Sequence, residues 1–220
     1  GATSSKVLGL KWLSSDDCFT YDTFPISEGL VITKRIVLSA IARLFDPLGF
    51  LSPVIMLAKI LFQELWKLGL DWDSSIPDHL QREFSEWIYG LEQVKDLKIE
   101  RSYTTGKAWG KVTKITLHSF GDASEKGYGA CVYLVCKYSD NSAHSSLVMS
   151  KGKVNPIKAV TLPRLELLAS LICARLLKFV KSSLLLESPK SYCWTDSMIS
   201  LGWIKNKKGN LKPFVENRRF

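Results

Sequence analysis

The chain has 220 residues, 46% of them hydrophobic, which suffices for two modest cores. Its formal charge of +9 is unevenly spread: residues 1–117 hold 14 Lys+Arg against 14 Asp+Glu, and residues 118–220 hold 16 against 7. A neutral front and a basic back imply two modules, the second suited to a polyanion, while Lys59 in one apolar stretch and Arg164, Glu166, Arg175 and Lys178 in another exclude a membrane-spanning segment.

In chain order, residues 7–13 and 19–24 read as two short strands turning at the SSDD run of 14–17. Three amphipathic helices follow. The first covers 34–45 and stops at Asp46-Pro47-Leu48-Gly49. The second covers 53–68, with Val54, Leu57, Ala58, Leu61, Leu65 and Leu68 on one stripe. The third covers 77–91, with Leu80, Phe84, Trp87, Ile88 and Leu91 recurring at helical spacing. That spacing makes the aromatics a core stripe, not a ligand box. Residues 98–114, with TTGKAWGK, read as a linker.

Residues 115–122 alternate Ile115, Leu117, Ser119 and Gly121 against Thr116, His118, Phe120 and Asp122, the pattern of a half-buried strand. Residues 127–138 are β-branched and aromatic, and 145–150 (SSLVMS) form a third apolar run. Polar turns separate the three, as in an antiparallel meander. Pro163 opens a long helix with Leu165, Leu168, Ala169, Ile172, Leu176 and Phe179 at helical spacing. Residues 191–195 read as a fourth strand and 197–206 as a closing helix. The order is βββαβα, an α+β pattern.

Three acids stand out in this basic half. Asp122 closes the first of these strands, Asp196 follows the fourth, and Glu166 lies one turn inside the intervening helix. If the first and fourth strands are parallel neighbours with the helix packed across them, the three carboxylates converge at one edge of the sheet, as an RNase H fold requires. Carboxylates in such a setting are costly without a cation, and hard oxygen ligands suit Mg²⁺ or Mn²⁺. The order Asp–Glu–Asp separates the pattern from integrases and transposases of the same fold, whose Glu follows the second Asp.

Taken singly, each acid has a plainer use. Asp122 can satisfy its own backbone in a turn, Glu166 can complement a helix dipole, and Asp196 can cap a helix. Ser124, Thr195 and Ser197 flank the acids, either orienting carboxylates and touching sugar hydroxyls or serving as turn and cap residues. Trp203, Lys205, Lys207, Lys208 and Lys212, in IKNKKGNLKP, are either a grip on phosphates or an ordinary solvated loop.

From Lys6 to Arg219 the chain resembles the reverse transcriptase–RNase H junction in polyproteins of BEL/Pao-type LTR retrotransposons. The matching stretches are VLGLKW, TKRIVLSAIARLFDPLGFLSPV, the ELW…LDWD run, FGDAS…GYGACVY, SKGKVNPIKAVTLPRLELLAS, WTDSMISLGWI and FVENRR, in that order. The resemblance implies the end of a polymerase palm and a helical thumb or connection over 1–97, a linker over 98–114 and an RNase H-like domain over 115–220. It implies Asp122, Glu166 and Asp196 as the catalytic, metal-holding acids. Asp122 and Asp196 would serve both of two Mg²⁺ or Mn²⁺ ions, and Glu166 one. The implied partners are an RNA–DNA hybrid and the rest of the Pol polyprotein, and the implied setting is the cytoplasm or a virus-like particle, with a nuclear phase. The polymerase's Tyr-x-Asp-Asp aspartates would precede Gly1, and an Asn-Pro-Ala-Asp-like segment after Phe220 would supply the last carboxylate. The expectation is therefore that these residues alone bind a hybrid more readily than they cut one, and a non-catalytic nucleic-acid-binding module stays open as the alternative.

Cys18, Cys131, Cys136, Cys173 and Cys193 include no close CxxC pair, and the three histidines are scattered. Neither a zinc site nor a disulfide framework is expected. With no secretory signal at the start, the reading is an intracellular, reducing compartment.

Overall fold

Gly9 breaks the first apolar run in two. The computed structural model describes residues 4–7, 9–25, 29–104, 109–184, 189–206 and 211–218. In it Gly9 has φ +83°, and a Cβ there would lie 2.6 Å from the Phe45 ring. A run expected as one strand therefore doubles back as β1 (Ser4–Val7) and β2 (Leu10–Leu13). β3 (Cys18–Tyr21) follows the SSDD turn, and β4 (Ile99–Glu100) completes an antiparallel sheet in the order β1-β2-β3-β4. The stretch read as a linker thus gives a strand to this sheet, with Phe19 opposite Ile99. Its tail, from Val112, opens the first strand of the next sheet.

Three helices belong with this first sheet. α1 (Lys34–Arg43) starts where the Thr33 hydroxyl accepts the Ile36 N–H. Asp46 explains the stop after it, because its carboxylate accepts the Tyr21 hydroxyl at 2.6 Å and the Leu51 N–H at 2.7 Å. α2 (Ser52–Lys67) and α3 (Asp78–Glu92) are locked by the Trp87 indole, which donates to the Val54 carbonyl at 2.8 Å. Leu80, Phe84, Trp87 and Leu91 are all buried, so the aromatic stripe is core, as its spacing implies.

The chain divides into two compact units, Gly1–Pro47 with Leu51–Ser102 and Leu48–Phe50 with Tyr103–Phe220. In the second, β5 (Val112–Ala123), β6 (Gly127–Tyr138) and β7 (Ala143–Val154) form an antiparallel meander. β8 (Lys190–Trp194) pairs parallel to β5, giving the order β7-β6-β5-β8. A parallel return needs a long crossover, and α4 (Leu162–Ser183) supplies it. Leu117, Val132, Leu134 and Cys136 from the strands meet Cys173, Leu176, Leu177 and Val180 from α4 in one core. α5 (Met198–Lys205) and the short α6 (Pro213–Glu216) close the unit. This is βββαβα with an added helical turn, an RNase H-like α+β fold. Gly49 shows why its position favours glycine: with φ +76°, a Cβ would sit 2.0 Å from the Ser150 carbonyl oxygen. Among the described residues, no helix is long and apolar enough to cross a membrane.

Candidate active site

The alternation of β5 decides what faces where. Leu117, Ser119 and Gly121 turn toward α4; at Gly121 a Cβ would lie 2.9 Å from the Ala169 carbonyl oxygen. His118, Phe120 and Asp122 therefore point to the opposite face. On β8 the partners of His118 and Phe120 are Tyr192 and Trp194. Because the two strands run parallel, their C-terminal ends lie side by side and carry Asp122 and Asp196 to the same place. An open cleft of about 570 Å³ forms there, lined by Phe120, Gly121, Asp122, Gly129, Ala130, Cys131, Trp194, Thr195 and Asp196.

Both aspartates are exposed. Asp122 Oδ1 accepts the Ala123 N–H at 2.7 Å while the residue is still inside β5. The turn that follows is organised by Ser124, whose hydroxyl accepts the Lys126 N–H at 3.2 Å and the Gly127 N–H at 3.3 Å. Those bonds favour the turn role for Ser124 over a nucleic-acid contact. Asp196 is not the cap of α5; Ser197 is, accepting the Ser200 N–H at 3.1 Å. Nor does Glu166 sit in the first turn of α4, which holds no acid. The plainer uses of these two acids are thus taken up by other residues or by none.

Glu166 reaches the site through Ser197, whose hydroxyl donates a short hydrogen bond to Glu166 Oε2. One serine therefore caps α5 and holds the carboxylate of α4 beside the residue that follows Asp196. Thr195 Oγ1 accepts the Ser197 N–H at 3.3 Å and steadies the same corner. Glu166 itself does not line the cleft, and among the described residues no three His, Cys, Asp or Glu side chains lie close enough to hold one ion.

Of the basic stretch, Trp203 is half-buried on α5, Lys205 and Lys212 are exposed, and Lys207 and Lys208 lie outside the described residues. Lys212 is the residue before α6. Two features went unread in the sequence. One is an aromatic face beside the cleft: His118 stacks on Tyr192 at 5.1 Å, and Trp194 stacks on His118 at 6.1 Å and on Phe120 at 6.3 Å. Phe120 and Trp194 remain 44% and 49% exposed. The alternation in β5 and β8 was the signal for it. The other is Phe214 of α6, held between the guanidinium groups of Arg164 at 4.9 Å and Arg218 at 3.9 Å. That sandwich joins the PRLELLAS and FVENRR stretches.

A solved structure described as "Structure of the foamy viral protease-reverse transcriptase dRH in complex with ds DNA" shares this fold, with TM-score 0.51 and 12% identity over 98% of this chain. The chain spans 35% of the length of that one. No curated protein matches the sequence. Residues 33–197, which contain Asp122, Glu166 and Asp196, match the family described as "Pao retrotransposon-like RNaseH-like domain". With three-quarters of its length matched and the fold in agreement, the chain belongs to the Pao retrotransposon-like RNaseH-like domain family.

Proposed function

We propose that this chain is the thumb-to-RNase H portion of a retrotransposon reverse transcriptase, and that in the parent polyprotein its second unit hydrolyses the RNA strand of RNA–DNA hybrids. One observation carries the reading: Asp122 and Asp196 stand at the ends of adjacent parallel strands in one cleft, with Glu166 bonded to the residue after Asp196. Two exposed aspartates in one cleft, in a half of the chain with surplus positive charge, are hard oxygen donors of the kind that suit a divalent ion. Asp122 and Asp196 would hold Mg²⁺ or Mn²⁺, and Glu166 would join them with the oxygen that Ser197 does not engage only on turning its carboxylate into the cleft. When bound, such ions activate a water and stabilise the leaving oxygen of a phosphodiester.

The chain's own residues do the positioning. Ser197 fixes the Glu166 rotamer, and the α4 backbone against Gly121 sets how near that helix comes to β5. Phe120 and Trp194 offer ring faces on which a base or sugar can pack. The first unit, by likeness to a reverse transcriptase solved with double-stranded DNA, would hold the template–primer duplex. A second reading, a nucleic-acid-binding module without turnover, is favoured by the absence of three clustered ligands among the described residues.

The parent polyprotein, incubated with a hybrid labelled on its RNA strand, should give Mg²⁺-dependent RNA fragments. Asp122→Asn should abolish them while hybrid binding persists. Binding without fragments in both Mg²⁺ and Mn²⁺ would overturn the nuclease reading and leave the second one.

A further inference from the structure

Two thiols meet beneath the carboxylate corner. Cys173 is buried on α4, where its Sγ lies 3.1 Å from the Ser119 hydroxyl. Ser119 is the ladder partner of Cys193 on β8. Side chains of paired residues in neighbouring strands share a face, so Cys193 is directed toward α4 on the same side as Ser119 and neighbours Cys173. The neighbouring Cys193 thiol lowers the titration of Cys173 to about 7, while Cys193 keeps its proton well above the usual thiol range. Cys193 is exposed on the edge strand of the sheet, so the pair has one buried and one accessible member. Cys131 is not an equivalent partner: it pairs with Phe120 and lines the cleft on the face away from α4.

We propose that Cys173 and Cys193 form an oxidisable dithiol site, which a peroxide closes into a disulfide joining α4 to β8. The Cys173 thiolate takes up the Cys193 proton as the accessible Cys193 sulfur attacks hydrogen peroxide. The O–O bond breaks, one oxygen stays on sulfur as a sulfenic acid, and the other leaves as water with that proton, handed on by Cys173. The Cys173 thiolate then attacks the Cys193 sulfur. The S–S bond forms, the S–O bond breaks, and the departing hydroxide takes up the proton that Cys173 had released. In sum, two thiols and one hydrogen peroxide give one disulfide and two waters, and a dithiol reductant reverses the cross-link. The bond fixes the spacing between the helix that carries Glu166 and the strand that leads to Asp196. Nothing in this chemistry requires the nuclease reading.

The test uses the full chain, folded and reduced, treated with hydrogen peroxide, alkylated and mapped by peptide mass spectrometry. An intramolecular Cys173–Cys193 cross-link should appear, reverse with dithiothreitol, and raise the melting temperature by several degrees. Cys193→Ser should abolish the cross-link and Cys131→Ser should leave it intact. Since Cys193 is exposed on an edge strand, its serine variant should keep the parent's reduced melting temperature, which guards the comparison. A cross-link that forms only after denaturation, a dominant link to Cys131, or Cys193 accumulating as sulfinic acid without a partner would each overturn the proposal.

Discussion

Ser197 does two jobs with one hydroxyl, capping α5 and holding Glu166. Ser197→Ala removes both, so urea unfolding should show a loss of about 2 kcal/mol, most of it the lost cap and charge-assisted bond. Ser197→Thr should recover most of that, whereas Ser197→Asp should keep the cap and lose stability through repulsion with Glu166. The three acids were legible in the sequence because each sits at the end of a strand or near the start of a helix of recognisable period. The link between them was not, because a serine after an aspartate reads equally as a cap or a turn residue until its partner across the fold is known. Ser124 shows the same ambiguity resolved the other way: its hydroxyl is taken up by the 124–127 turn.

Gly121 governs how two elements meet. An alanine there would press its Cβ to 2.9 Å from the Ala169 oxygen and 3.0 Å from Cys173 Cβ. The first contact is helix backbone, which cannot move alone, so α4 must shift away from β5. Gly121→Ala should therefore lower stability by about 1–3 kcal/mol and weaken any response to metal, whereas Gly202→Ala, in α5 with nothing within 4 Å, should stabilise by about 0.5–1 kcal/mol. Thermal melts of the two variants side by side would check both signs. Most elements were readable from period alone: β6 spans the expected 127–138, and α1 to α4 begin within a residue of expectation. Those that were not are short or locally ambiguous. β1 was hidden by a glycine whose left-handed turn the apolar run concealed. β4 has two residues and exists through its pairing with β3, and α6 is one turn steadied by Phe214 between two arginines. The exposed aromatic face escaped notice because alternation tells which side chains share a face, not whether that face is covered.

For the molecule as a whole, the +9 charge falls entirely on residues 118–220. Hybrid binding by this chain should therefore weaken steeply as salt rises, and a gel shift insensitive to a several-fold increase would contradict a phosphate-gripping role. Millimolar Mn²⁺ should raise the melting temperature by binding the folded state, and Asp122→Asn should remove most of that gain. The parallel pairing of β8 with β5 has a kinetic corollary. The meander β5-β6-β7 closes between neighbours in the chain, but β8 must find β5 across both hairpins and α4, and contacts of such long range form late and open early. Thr116 can meet Lys190 only after that whole excursion is in place. Asp196 would then be the last acid to arrive as the chain folds and the first to depart when it loosens. Under rising denaturant, native-state hydrogen exchange should find β8 and α5 opening at lower free energy than β6, and the Mn²⁺ stabilisation should vanish while the meander is still intact. The carboxylate corner is thus the most perishable part of its own fold.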